Sequence, residues 1–268
     1  MSNSILVSIV TPSYNQAEYL AENLHSVTVQ RAQGIEVQHL VMDGGSTDGT
    51  VALLEASTGV TWVSKKDRGQ SDAINKGFRA AQGAIIGWIN SDDYYVPGAV
   101  ARVVSYFEEH PEAMWLYGKC YIVDRTSRVT DEYDTSDFDL ETLINRKNFI
   151  PQQSTFFRRQ LLDQVGYLDE SLQLCMDYDY WIRIGKLYPG HFLQEYLACF
   201  RRHKDAKTSK QAPRHWAEFL EVSRKYGGKR FSMIYLRMLM HAAFRGIPGP
   251  LQRLAAAPAL RSMARRIR

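Results

Sequence analysis

Apolar and polar positions alternate in regular blocks over the first ninety residues. The run SILVSIVT (4–11) is apolar and β-branched, which predicts a buried strand. PSYNQAEYLAENLHSVTVQ follows as a turn and an amphipathic helix, and VQHLVMD (37–43) as a second strand that stops at the turn-rich GGSTDGT. TVALLEAS reads as a short helix, VTWVSK as a third strand, SDAINKGFRAAQG as a helix closed by Gly83, and AIIGWI (84–89) as a fourth strand. Strand–helix alternation at this spacing is the pattern of an open, mainly parallel α/β sheet. Such sheets bind ligands at the carboxyl ends of their strands. Polar clusters stand at four of those ends: TPSYN, DGGSTDGT, DRGQSD and NSDD.

From about residue 97 the pattern turns mixed. PGAVARVVSYFEEH predicts a helix, MWLYGKCYIVD and SRVTDEY strands, and FIPQQSTFFRR a loop and strand. RQLLDQVG and MDYDYWIRIGKL read as helices, and GHFLQEYLACFRRH as one or two strands. Beyond these, RFSMIYLRMLMHAAFR places Arg230, Arg237, His241 and Arg245 at helical spacing among apolar residues, and GIPGP ends that helix.

Composition is that of a globular chain, with 45% apolar and 23% charged residues in 268. No run approaches the roughly 18 apolar residues of a spanning helix, and the N-terminus lacks the features of a secretory signal. Cys120, Cys175 and Cys199 are scattered, so neither a disulfide framework nor a zinc site is expected and a reducing cytoplasm fits. Charge sharpens the picture more. Of 33 Lys and Arg, 11 lie in residues 222–268, which hold no Asp or Glu, so residues 1–221 are net −7 and the tail net +11. A basic amphipathic segment suits an anionic membrane surface, and a helix packed on the rest of the chain is the alternative. Nucleic acid is disfavoured, because no binding motif or aromatic–basic interleaving is present.

The strand ends carry the candidate chemistry. Asp43 precedes two glycines that let a flat ligand approach the backbone, and its carboxylate can accept from a ring N–H, which favours a pyrimidine. Asp48 is expected to cap the next helix. Tyr14 either stacks on the same ring or packs as an ordinary aromatic. Asp92 and Asp93 are either a solvated pair at a turn or a divided site. In the second case one acid bonds a sugar hydroxyl and the other binds Mg²⁺ or Mn²⁺, completed by substrate phosphates and water.

Taken in order and spacing, SIVTPSYNQAEYL, VMDGGSTDGT, DRGQSDAINKG, WINSDDYYVPG and MDYDYWIRIG resemble the family 2 glycosyltransferases over about residues 4–205. The resemblance implies a GT-A fold and an inverting, nucleotide-sugar-dependent reaction. Thr11, Pro12 and Tyr14 match the first nucleotide-binding loop, and Asp43 the acid that reads the base. Asp67, with Asp72 and Lys76 beyond it, matches the region that closes over base and diphosphate. NSDD matches the metal motif; Asn90 stands where the first acid is usual, which puts the cation on Asp93 and the ribose on Asp92. Asp177 matches the catalytic base, Met176 replaces a usual Glu, and Asp179 is the rival base. A helix N-terminus is expected to keep Asp177 ionised, and a plain N-cap is its other reading. His203 either approaches the metal or diphosphate or is a surface histidine. Gln152, Gln153 and Trp181 are candidates for the acceptor side, Trp181 equally for the core.

These readings imply a catalytic domain over residues 1–213, with its nucleotide-binding half at residues 1–96 and its acceptor side at residues 97–213. A basic amphipathic helical tail follows over residues 214–268. The implied activity is inverting transfer from a nucleotide-diphosphate sugar (UDP or dTDP favoured, GDP left open), with Mn²⁺ or Mg²⁺, to a hydroxyl of a glycan or lipid-linked acceptor in polysaccharide assembly. The implied place is the cytoplasm, peripheral on the inner face of the plasma membrane. A nucleotide-sugar binder or scaffold of the same fold is the alternative. A nucleotidyltransferase would need a Gly-rich basic loop after the first strand, and TPSYNQAEY is not one.

Overall fold

The computed structural model describes residues 5–31, 35–204 and 206–245. The first half reads β1 (Ile5–Ser13), α1 (Ala17–Thr28), β2 (Ile35–Asp43), α2 (Thr50–Ala56), β3 (Val60–Ser64), α3 (Gln70–Ala80), β4 (Ile85–Trp88), β5 (Tyr94–Tyr95) and α4 (Ala99–Glu109). The second half reads β6 (Trp115–Val123), β7 (Val129–Glu132), α5 (Leu140–Asn145), β8 (Thr155–Arg158), α6 (Leu161–Val165), α7 (Met176–Gly185), β9 (His191–Arg201), α8 (Lys207–Lys210), α9 (Ala212–Lys225) and α10 (Met233–Arg245). The strands form one sheet in the order β3-β2-β1-β4-β8-β6-β9-β5, with β7 on β6. β3, β2, β1 and β4 are parallel, and β6 and β9 run the same way; β8, β5 and β7 oppose them. The sheet is thus mixed and mainly parallel, flanked by helices, as expected.

Alternation along β1 divides the core. Val10 faces Leu40, Ile74 and Phe78 on the side covered by α3, α7 and α9, whereas Val7 and Ile9 face Val100, Val103 and Phe107 of α4. α3 lies close on β1: a Cβ on Gly77 would stand 2.3 Å from Val10 Cγ1, so the helix reaches this depth only with glycine there. Short β5 and α5 carry too little periodicity to read from sequence; α5 is marked by Asp139, whose carboxylate caps it by accepting from the Thr142 N–H at 2.6 Å.

The C-terminal region differs from the expectation. The boundary at residue 213 falls inside α9, which buries Phe219, Leu220 and Val222 in the same core cluster as Tyr178 of α7. The helix therefore belongs to the catalytic body, because its apolar stripe covers a face that α7 would otherwise expose. α10 is different. It buries Ile234, while Leu236, Leu239 and Met240 face outward together with Phe231 just ahead of it, which is 71% exposed. The last stretch of the expected tail, 246–268, lies outside the described residues.

Candidate active site

Parallel register brings three polar strand ends level: Ser13 pairs with Asp43, and Asp43 with Ser64. Asp43 is buried. Its Oδ2 accepts from the Gly45 N–H (3.1 Å), the Ser46 N–H (2.9 Å) and the Ser64 hydroxyl (2.6 Å), and its Oδ1 from the Ser46 hydroxyl. Most of this carboxylate holds the turn. Oδ1, bonded to one rotatable hydroxyl, keeps the capacity to accept a ring N–H. Asp43, Val63, Lys65, Asp67 and Lys76 line a cleft of about 60 Å³. Tyr14, 62% exposed, stands beside it. A Cβ on Gly44 would lie 2.6 Å from Asp67 Oδ2 and 3.3 Å from the Tyr14 ring, so only glycine keeps the aromatic ring and the carboxylate close together.

Three neighbours expected here have other work. Thr11 and Pro12 are buried within β1, and the Thr11 hydroxyl contacts His39 Nε2 at 3.0 Å on the opposite face of the sheet from α3. Burial lowers the His39 pKa to about 3, so this imidazole is neutral. Asp72 accepts from the Arg68 N–H and guanidinium and pairs with Lys76 at 2.9 Å. The Lys76 hydrogen bond does most to hold its pKa below the usual carboxylate range. Asp48 is a cap, as expected, and for two helices: it accepts from Ala17 N–H at the start of α1 and from Thr50 N–H at the start of α2.

Beyond Trp88 the NSDD loop turns back over a bed of amides. Asn90 Oδ1 accepts from Gln70 Nε2 (2.9 Å), while its Nδ2 donates to Gln152 Oε1 (3.1 Å) and Asp93 Oδ2 (3.4 Å). Gln153 Nε2 donates to Asp93 Oδ2 (2.9 Å), and the Arg201 N–H to Asp93 Oδ1 (2.8 Å). Asp93 is therefore buried with both oxygens engaged. Burial, then the charge of Asp92 beside it, pushes its pKa well above the ordinary range. Asp92 is the acid that points outward, its Oδ2 3.1 Å from His203 Nε2. The expectation set the cation on Asp93, but peptide and amide donors already engage both of its oxygens, and Asp92 is the acid left facing outward. Gln152 and Gln153 are buried under this loop, bonded to it and to the Trp88 carbonyl.

Arg201 fixes the other side of the pair. Fully buried, it donates to the carbonyls of Asp92 (2.9 Å), Asp124 (3.1 Å) and Arg125 (3.0 Å) and pairs with Glu22. Its guanidinium also lies 5.0 Å from the Tyr19 ring. Tyr19 packs against His203 in turn, with ring centroids 5.0 Å apart. His203 Nδ1 is buried without a hydrogen-bond partner among the described residues. A carboxylate oxygen beside an imidazole nitrogen fits a divalent cation of the Mn²⁺ type. No cluster of three or more His, Cys, Asp or Glu suited to a metal occurs among the described residues, so such an ion would take phosphate oxygens and water as its remaining ligands.

The last group sits at the start of α7. Asp179 is fully buried and engaged by Arg183 Nε (2.8 Å), Lys225 Nζ (3.0 Å) and the Tyr226 hydroxyl (2.8 Å), which ties α7 to α9 and leaves neither of its oxygens free. Asp177 is half-buried. Burial lifts its pKa to about 6, the N–H groups of residues 178 and 177 oppose that rise, and the charge of Glu218 adds to it. At Asp177 burial outweighs the helix terminus, and the N–H groups just ahead of it are taken by Glu218 of α9. Glu218 accepts from the N–H groups of Gln173 (2.6 Å), Leu174 (2.6 Å) and Cys175 (3.2 Å). Met176 is buried in the core, and so is Trp181, whose ring stacks on Trp115 at 5.8 Å and 9° and does not reach a cleft.

The sequence model of glycosyl transferase family 2 matches residues 8–166, more than half of the chain. The chain belongs to that family. A glycosyltransferase of Mycobacterium tuberculosis, itself uncharacterized, is 27% identical over 88% of this chain and 92% of its own. Staphylococcus aureus TarS (residues 1–349), solved with UDP-GlcNAc, superposes with a TM-score of 0.64 at 17% identity, covering 85% of this chain and 68% of that one. The chain spans 44% of the longer TarS structure. The mannosyltransferase PcManGT of Pyrobaculum calidifontis, solved with GDP-Man and Mn²⁺, gives 0.62 at 18% identity over 96% of this chain and 82% of its own. These likenesses show the GT-A fold, and the protein is a glycosyltransferase of that fold.

Four residues that hold these candidate groups in place are not singled out by the sequence: Asn23, Gln70, Arg201 and Glu218. Asn23 donates to the carbonyls of both Asn90 and Asp93 (3.0 and 2.9 Å). Two of the four had a legible signal. Asn23 interrupts the apolar stripe Leu20–Leu24–Val27 of α1, and Glu218 stands beside Phe219 and Leu220 on α9. A polar side chain on a buried stripe needs a partner.

Proposed function

We propose that the protein transfers a sugar, with inversion, from a nucleotide-diphosphate sugar to a hydroxyl of a glycan or lipid-linked acceptor. The observation that carries this reading is the Asp92–His203 pair, set past the carboxyl ends of β4 and β9 in a fold whose β2 and β3 ends line a neighbouring cleft. Tyr14, Asp43 and Asp67 bind the base, and the Asp43 carboxylate favours a pyrimidine N–H, hence a UDP- or dTDP-sugar. Asp92 and His203 hold Mn²⁺ or Mg²⁺, which when bound stabilises charge on the departing diphosphate. Lys207, half-buried and close enough to Asp67 and Glu218 to feel their charge, adds a cation on the same side. Asp177 accepts the proton of the attacking hydroxyl. A carboxylate with a pKa of about 6 is a stronger base than an ordinary aspartate and is still ionised at neutral pH.

The experiment is donor turnover against Mn²⁺ concentration. Asp92→Asn and His203→Ala should each raise the Mn²⁺ needed for half-maximal rate at least about tenfold, as loss of a ligand does. Turnover in both variants with unchanged Mn²⁺ dependence would remove the cation assignment.

We also propose that α10 rests on an anionic membrane. Phe231, Leu236, Leu239 and Met240 expose an apolar face within a segment, 222–268, that carries 11 basic and no acidic residues. No helix among the described residues is long and apolar enough to cross a bilayer. Placement on the inner face of the plasma membrane fits three buried, free thiols.

A further inference from the structure

Three consecutive backbone N–H groups, those of Gln173, Leu174 and Cys175, point at one carboxylate that belongs to a helix more than forty residues later. A run of N–H groups entering a helix is a ready anion site. Here it is filled internally by Glu218, buried on the core-facing side of α9. The segment held this way also bridges to the donor side: Asn75 Nδ2 donates to the Leu168 carbonyl (3.0 Å) and the Ser71 hydroxyl to the Leu172 carbonyl (3.2 Å). Its far end is the first turn of α7, which carries Asp177.

We propose that Glu218 is the positioning residue of the proton-accepting carboxylate, fixing the first turn of α7, and so the place of Asp177, by gathering the N–H groups of residues 173–175. This role rests on the reading of Asp177 as the base. Glu218 acts through the backbone and touches no reacting atom. Its charge has a second effect. Among the described residues, the titratable groups that interact electrostatically with Asp177 are Glu218 from α9, Cys175 at the start of α7 and Tyr133 beyond β7. Burial pushes the Cys175 thiol and the Tyr133 phenol upward, so both stay neutral and Glu218 is the charged neighbour. The same side chain thus places the base and strengthens it.

The test uses the full chain and three readouts. Glu218→Gln keeps the shape but brings an amide N–H against backbone N–H groups. It should lower kcat about tenfold or more, because small displacements of a base cost heavily, while the donor KM changes less than about twofold. The acid limb of the kcat profile, expected near pH 6 in the parent, should move to lower pH as the negative neighbour is lost. Hydrogen exchange at amides 173–175 should quicken. Glu218→Asp keeps the charge but falls one methylene short, so its limb should stay in place while kcat falls; it carries the test if the amide variant does not fold. Wild-type kcat, limb and exchange in Glu218→Gln overturn the positioning role and leave the base reading standing. Wild-type transfer by Asp177→Asn overturns the base reading instead, whatever residue 218 does.

Discussion

Asn90 shows how one side-chain atom can decide a motif. An aspartate is the usual residue at its place, yet the structure needs an amide, since Nδ2 faces two acceptors, Gln152 Oε1 and Asp93 Oδ2, while Oδ1 faces the donor Gln70 Nε2. Asn90→Asp would set a carboxylate against both acceptors and beside a second buried acid. The expected loss is about 2 kcal/mol, the order of an unsatisfied buried group. Thermal unfolding should register it as a Tm several degrees lower, and an unchanged Tm would contradict the network. The same reasoning explains why adjacent Asp92 and Asp93 coexist. One lies in a cage of N–H donors and the other points outward to His203, so they do not share an environment.

Among the elements, α9 carries more than its sequence suggests. It supplies Glu218 to the loop before α7 and Lys225, with Tyr226 just beyond, to Asp179, and it buries Phe219 against Tyr178 at 4.1 Å. Asp179→Ala removes the centre of that junction. Because Arg183 and Lys225 reach solvent, the expected cost is about 2–3 kcal/mol, less than for a fully buried pair. Reduced stability in denaturant, with the pH limb of kcat where the parent has it, is the expected outcome. A displaced limb would return Asp179 to the chemistry.

For the chain as a whole, charge and apolar surface are segregated. The catalytic body covers its apolar faces with helices on both sides of the sheet, whereas α10 leaves Leu236, Leu239 and Met240 uncovered in the basic region. Liposome flotation separates the two halves of the membrane proposal. The full chain should float with anionic vesicles and not with neutral ones, and raised salt should weaken the association. A chain ending near Gly228 keeps the α9 clamp and should stay unbound. Equal flotation of both would sink the proposal. A lipid-linked acceptor would make transfer by the shortened chain fall while donor hydrolysis persists.

Local pattern was enough for the strand–helix order, the polar strand ends, the cap at Asp48 and the match to a glycosyltransferase family. Each depends on residues close in sequence, where period and turn chemistry are written directly. Which way a side chain points, and whether its oxygens are already engaged, depended on partners far along the chain. Asp93 is closed by Gln153 and by the Arg201 backbone, 60 and 108 residues on, and Asp92 meets His203 111 residues on. Thr11, Asp72, Gln152 and Gln153 read as ligand residues because their chemistry allowed it, and tertiary contacts used that chemistry internally, while Trp181, open between acceptor side and core, packs in the core. Most buried polar atoms are satisfied by whatever the fold brings within about 3 Å. No local window contains that information, so the different surroundings of the two adjacent acids are set only when the loop after β4 meets the end of β9.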